Sequence, residues 1–182
     1  LHQGNYGTSD SSGRTVTAQT PFVIGSLSKM ITAYAVLQLV DDGQLSLDAP
    51  VHQYLPWFKP INPFNQAPIT LRHLISHTSG ISALDGIDFR SKYAQYSLDE
   101  LLRTYEQLQL NRPVGDSYQY SNVNYNLLGG IIPQVTGRAY AEHIKANVFE
   151  RLHMDHSHST LPEAKSDGLA QGPQLVFRRP KA

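Results

Sequence analysis

From Met30 to Val40 almost every residue is apolar (Met30, Ile31, Ala33, Tyr34, Ala35, Val36, Leu37, Leu39, Val40), with only Thr32 and Gln38 breaking the run. At 3.6 residues per turn these positions cover nearly the whole circumference, so the segment predicts a helix buried on most of its sides. Gly43 is a good residue to end it, because glycine readily takes the left-handed conformation just past a helix. The run is far shorter than the roughly 20 apolar residues that span a bilayer. It therefore reads as a core helix, and a chain of 182 residues is long enough to enclose one.

The other elements follow from punctuation. Residues 1–25, with breakers at Gly4, Gly7 and Gly13, suggest a strand end and hairpin. Pro50, Pro56, Pro60, Pro63 and Pro68 deny long helices and central strands to the next stretch, leaving one short helix near Val51 to Leu55. Thr70 caps a short helix from Leu71 to Ser76, and Ser97 with Glu100 forms a capping box for another. A helix from about Asn122 to Val135 ends at Gly137, with Pro133 kinking its last turn and Gly129-Gly130 admitting close packing. Tyr140 to Leu152 reads as one amphipathic helix, and residues 161–182 as an irregular tail in which Leu175-Val176-Phe177 starts a strand. The expectation is one domain over 1–182, with a mostly helical region from 26 to 160.

Fifteen basic residues balance fifteen acidic ones, and the pI is near 7.3, so no basic footprint for nucleic acid or an anionic membrane is expected. The chain has no cysteine, which excludes disulfides, thiolate metal sites and a thiol nucleophile. No Gly-x-Gly-x-x-Gly or Gly-Lys-Ser/Thr loop exists, so no cofactor is expected. Gly115-x-Ser117 lacks the second glycine of a nucleophile elbow. His73 and His77 lie four apart on a predicted helix, but Leu74 stands where a zinc protease needs glutamate, and helix-end packing is the expected role. His153, His156 and His158 cluster in a polar loop without an evident set of supporting groups, so no functional metal is expected there either. Leu1 begins without a charged leader region or cleavage site, and no export signal is expected within the chain.

The chemistry lies just before the apolar helix. Ser26-Leu27-Ser28-Lys29 puts a hydroxyl and an amine three residues apart, on one helix face. A serine becomes a nucleophile when a base takes its proton, and lysine can do so only as the free amine, a form that burial favours. The helix N-terminus adds N–H groups that favour a developing oxyanion. Farther on, Tyr120-Ser121-Asn122 follows the turn at Gly115. Its tyrosine can carry a proton, and its asparagine can orient a lysine and bind a carbonyl. Ser28, Ser79 and Ser121 read as helix-start and turn residues making local hydrogen bonds.

Together the two motifs resemble the active-site set of serine β-lactamases and penicillin-binding proteins. The likeness covers about residues 15 to 160. It includes Thr20-Pro21-Phe22 before Gly25-Ser26, Leu45-Ser46-Leu47-Asp48, Tyr54-Leu55-Pro56, the run from His73 to Gly80 containing His77-Thr78-Ser79-Gly80, and Tyr120 to Tyr125 running into Leu127-Leu128-Gly129. Class C β-lactamases, D-alanyl-D-alanine carboxypeptidases and related esterases share these phrases. The resemblance implies an α+β, β-lactamase/transpeptidase-like fold, with a helical lobe and part of an antiparallel sheet. It implies Ser26 as acylated nucleophile, Lys29 as general base, Tyr120 as second proton carrier, Asn122 as substrate-binding and Lys29-holding residue, and the Ser26 N–H as first oxyanion donor. It further implies a β-lactam, D-Ala-D-Ala peptide or carboxylic ester as substrate, and a periplasmic or secreted location. The family's third motif, Lys-Thr-Gly or His-x-Gly, does not occur after Asn122. The chain is therefore expected to be truncated at the C-terminal strands, and the alternative function is a catalytically silent ligand-binding module or an inactive fragment.

Overall fold

The computed structural model describes residues 4–64, 67–86 and 97–171. A 3-10 turn, Gly25–Leu27, runs directly into α1, Ser28–Asp41. Short helices α2, Val51–Tyr54, α3, Leu71–Ile75, and α4, Leu98–Arg103, precede the long α5, Asn122–Thr136. Helix α6, Tyr140–Ile144, continues as a π-helix, Lys145–Phe149, and α7 is Leu161–Ser166.

Helix α5 is the axis of the molecule. It packs against α1, α3, α4 and α6, and buries Val123, Leu127, Leu128, Ile131 and Ile132 completely. Each such side chain contributes about 1.5–3 kcal/mol on leaving water. Gly130 rather than Gly129 is the close-packing position: a β-carbon at Gly130 would overlap the Leu102 side chain of α4, whereas one at Gly129 would only touch Tyr140 at 3.7 Å. The expected Ser97–Glu100 capping box is formed, and the Thr70 cap proves to be a second one. The Ser97 amide donates to Glu100 Oε2 at 2.7 Å, and Thr70 is answered by His73, whose Nδ1 accepts the Thr70 N–H at 3.1 Å.

Four expectations change. Helix α1 is buried on one stripe only: Thr32, Ala35, Val36 and Leu39 face the core, while Met30, Tyr34 and Leu37 are exposed on another. Those two stripes each repeat at helical spacing, so hydrophobic content on both sides made the segment look enclosed when its neighbours cover only one side. The expected part of an antiparallel sheet amounts, among the described residues, to isolated bridges. Thr8–Thr15 and Pro50–Thr70 are antiparallel, and Ile61–Gln109 is parallel. The first closes the expected entry hairpin, but a single hairpin does not make a sheet. The tail from 161 is not irregular at its start, because Pro162 fits the first turn of α7 and Thr160 Oγ1 donates to Glu163 Oε2 at 2.7 Å. Finally, α3 stops at Ile75, so His77 is not on the helix with His73; it lies past the end with a left-handed φ of 58°. Leu175-Val176-Phe177 falls outside the described residues.

Gly80 closes the turn after His77 with φ 78°, and a β-carbon there would overlap the Arg112 carbonyl oxygen. Both the dihedral and the space therefore demand glycine. Gly80→Ala is expected to lower stability by about 2–4 kcal/mol, read as a drop in the midpoint of urea unfolding. An unchanged midpoint would show that this turn is not held as described.

Candidate functional site

Gly25, with φ 54°, turns the chain sharply into the 3-10 segment that carries Ser26. Ser26 lies in that turn and Lys29 in the first turn of α1, and residues three apart along such a helical stretch share one face. Ser26 Oγ accordingly sits 3.4 Å from Lys29 Nζ. Ser28 is occupied locally, its hydroxyl donating to the Gly25 carbonyl at 2.8 Å.

The second half of the site comes from the extended residues entering α5. Tyr120 Oη lies 2.8 Å from Ser26 Oγ and donates to Asn122 Oδ1 at 3.3 Å. Lys29 Nζ donates to the same Asn122 oxygen at 2.9 Å. Ser26, Tyr120, Asn122 and Lys29 thus form a closed polar ring, and all four residues singled out in the sequence meet in it. Ser26 is exposed, and Lys29 and Asn122 are half-buried rather than enclosed, so the deep burial expected around Lys29 is not what surrounds it. Lys29 Nζ also lies 4.9 Å from the centre of the Tyr120 ring and 5.8 Å from that of Tyr125. Burial alone would push the Tyr120 phenol up, but hydrogen bonding with Lys29 and Ser26, together with the Lys29 charge, outweighs it and holds the phenol below its ordinary range.

A cavity of about 190 Å³ opens beside Lys29, with Ser28, Thr32, Tyr125, Asn126 and Tyr140 among its walls. Burial raises the Tyr140 phenol, which pairs with the Thr32 hydroxyl at 2.8 Å. A larger cavity, about 440 Å³, lies away from the ring between Val51, Phe58, Pro60 and Leu110, and its lining offers no nucleophile with a base beside it. The polar ring, not the larger hollow, is therefore the candidate site.

Two serines read as local turn residues also make long-range bonds, Ser79 in addition to its local one, in which the Ile81 N–H donates to Ser79 Oγ at 3.2 Å. Ser79 Oγ donates to Asn124 Oδ1 at 2.7 Å, and Ser121 Oγ donates to the Ser82 carbonyl at 3.0 Å. With His77 they form a buried polar layer directly behind Tyr120. Sequence reasoning gave His77 only a helix-end packing role. The signal available for it was its place in the His77-Thr78-Ser79-Gly80 phrase. In the His153–His158 loop, His156 Nδ1 lies 3.0 Å and His158 Nε2 2.7 Å from Asp167 Oδ2. Among the described residues no three His, Asp or Glu side chains are grouped as a metal site.

The Beta-lactamase family profile matches residues 2–182, and the chain belongs to that family. Esterase EstB of Burkholderia gladioli is 35% identical over 158 residues, which are 78% of this chain and 39% of the esterase. The teichoic acid D-alanine hydrolase of Staphylococcus aureus (strain MRSA252) is 30% identical over 141 residues, 78% of this chain and 33% of that protein. Among solved structures, the octameric penicillin-binding protein homologue from Pyrococcus abyssi superimposes with a TM-score of 0.76 at 31% identity, covering 88% of this chain and 38% of that one. The chain thus has a β-lactamase/transpeptidase-like fold and spans between a third and two fifths of the length of the two curated relatives named here. No helix among the described residues is long and apolar enough to cross a membrane.

Proposed function

We propose that this protein is a serine hydrolase that forms an acyl-enzyme on Ser26. The observation that carries the proposal is the position of Ser26 Oγ, 2.8 Å from Tyr120 Oη and 3.4 Å from Lys29 Nζ, with Asn122 Oδ1 tying the two proton carriers together.

Ser26 Oγ adds to the acyl carbonyl while its proton passes to the free-amine form of Lys29, and the oxyanion forms against the Ser26 N–H. As the tetrahedral species collapses, Tyr120 hands a proton to the departing alkoxide or amine, leaving an ester on Ser26. Water then adds to that ester by the reverse proton path, releasing the carboxylic acid and restoring the Ser26 hydroxyl. Lys29 and Tyr120 regain their starting protonation through the ring. Asn122 holds the Lys29 nitrogen toward Ser26 and offers its amide N–H₂ to the substrate carbonyl side.

The substrate class is a β-lactam, a D-Ala-D-Ala peptide or a carboxylic ester, and the name of one relative, an esterase, supports the last. A small-molecule or peptidoglycan-peptide partner and a periplasmic or secreted location accompany that reading. No nucleic acid, metal or organic cofactor takes part in it. Mixing with p-nitrophenyl acetate, nitrocefin and a D-Ala-D-Ala peptide tests it. A nitrophenolate burst equal to the enzyme concentration is expected, absent in Ser26→Ala. A burst of the same size in Ser26→Ala would overturn the assignment, and a burst with no turnover would identify a ligand-binding member that acylates without hydrolysis.

A further inference from the structure

Tyr120 is 37% exposed, yet its phenol oxygen must stay within hydrogen-bond distance of Ser26 for the ring to close. The residue holding it in place is His77. The Gln119 amide donates to the His77 carbonyl at 2.7 Å, and the Ser121 amide donates to His77 Nδ1 at 3.2 Å. One residue thus grips the backbone on both sides of Tyr120. The imidazole also lies along the Tyr120 ring, with centroids 4.8 Å apart and planes inclined by 32°.

His77 is fixed in turn. A second donor, Asn124 Nδ2, reaches the same Nδ1 at 3.1 Å, and the Asn124 oxygen accepts from Ser79 Oγ. Ser79, Ser121 and Asn124 are at most 1% exposed, and His77 is 7% exposed. A backbone N–H can only donate, so Nδ1 must accept, and the neutral ring carries its proton on Nε2. Burial, and then the Lys29 charge, favours that neutral form. The left-handed φ of 58° is uncommon for a residue with a side chain and aims the ring back over Tyr120.

We propose that His77 is a positioning residue for Tyr120, setting the phenol oxygen against Ser26 through its Nδ1 acceptor. The inference rests on the Ser26 acylation reading for its effect on rate, but not for its effect on Tyr120 geometry.

Three substitutions separate the contributions. His77→Asn places a carbonyl oxygen where Nδ1 sits and tolerates the left-handed backbone, whereas His77→Gln carries the same group one bond too far, and His77→Phe keeps the ring without the acceptor. Phosphonylation of the Ser26 hydroxyl by an activated fluorophosphonate, with fluoride leaving, is expected to slow at least tenfold in the Phe and Gln variants, and to recover to within threefold of wild type in Asn. Values of KM for p-nitrophenyl acetate stay unchanged while kcat falls. The ¹³Cζ resonance of Tyr120 in tyrosine-labelled protein is expected to move in Phe and Gln and to hold in Asn. If Phe does not fold, the Asn and Gln pair decides. Equal rates and an unmoved Tyr120 resonance in all folded variants would overturn the proposal, as would loss of rate in Asn equal to that in Gln. If wild type is not phosphonylated at all, the Ser26 reading fails, while the Tyr120 resonance still decides the role of His77.

Discussion

Lys29→Met is expected to slow acylation of Ser26 by about 10²–10⁴-fold, the range for loss of a positioned general base. Methionine keeps much of the stem volume, so the helix start should survive. What disappears is the nitrogen 3.4 Å from Ser26 Oγ and 2.9 Å from Asn122 Oδ1. Asn122 then loses a donor but remains half-buried beside Tyr120, which can still donate to it at 3.3 Å. The loss should therefore appear in rate rather than in folding, and stopped-flow acylation beside an unfolding curve separates them. A rate within threefold of wild type would remove Lys29 from the mechanism.

Tyr120→Phe is expected to lower turnover by about 10²-fold or more, because the carrier that protonates the leaving group is gone. The phenol is held below its ordinary range, so in wild type the donor form is lost, and the rate falls, at a lower pH than for a free tyrosine. Tyr120→Phe should erase that alkaline inflection as well as lower the plateau. Retention of the inflection in the Phe variant would assign it to another group. The ring stacking on His77 survives the substitution, which isolates the oxygen.

The parts of the molecule legible in the sequence were those governed by local chemistry. Ser97 and Glu100 announced their helix because capping is a contact between residues three apart, and Gly137 ended α5 because its φ of 68° suits glycine. Ser26, Lys29, Tyr120 and Asn122 were legible because two short motifs carried them, even though the halves meet only in the folded chain. The exposed stripe of Met30, Tyr34 and Leu37 was not, since periodicity counts apolar positions without telling which face has a neighbour. Nor was the π-helical continuation at Lys145–Phe149, which composition does not signal. His77 escaped for a third reason. A helix-like spacing from His73 concealed that α3 ends at Ile75, and only the left-handed turn beyond it brings the ring to Tyr120.

The most direct test of the account is the mass of the intact protein after exposure to an activated fluorophosphonate, followed by peptide mapping. One adduct per chain, located on Ser26 and missing from Ser26→Ala, is the expected result. An unmodified protein, or an adduct mapped to another serine such as Ser28 or Ser79, would contradict the claim that the ring of Lys29, Tyr120 and Asn122 activates this hydroxyl.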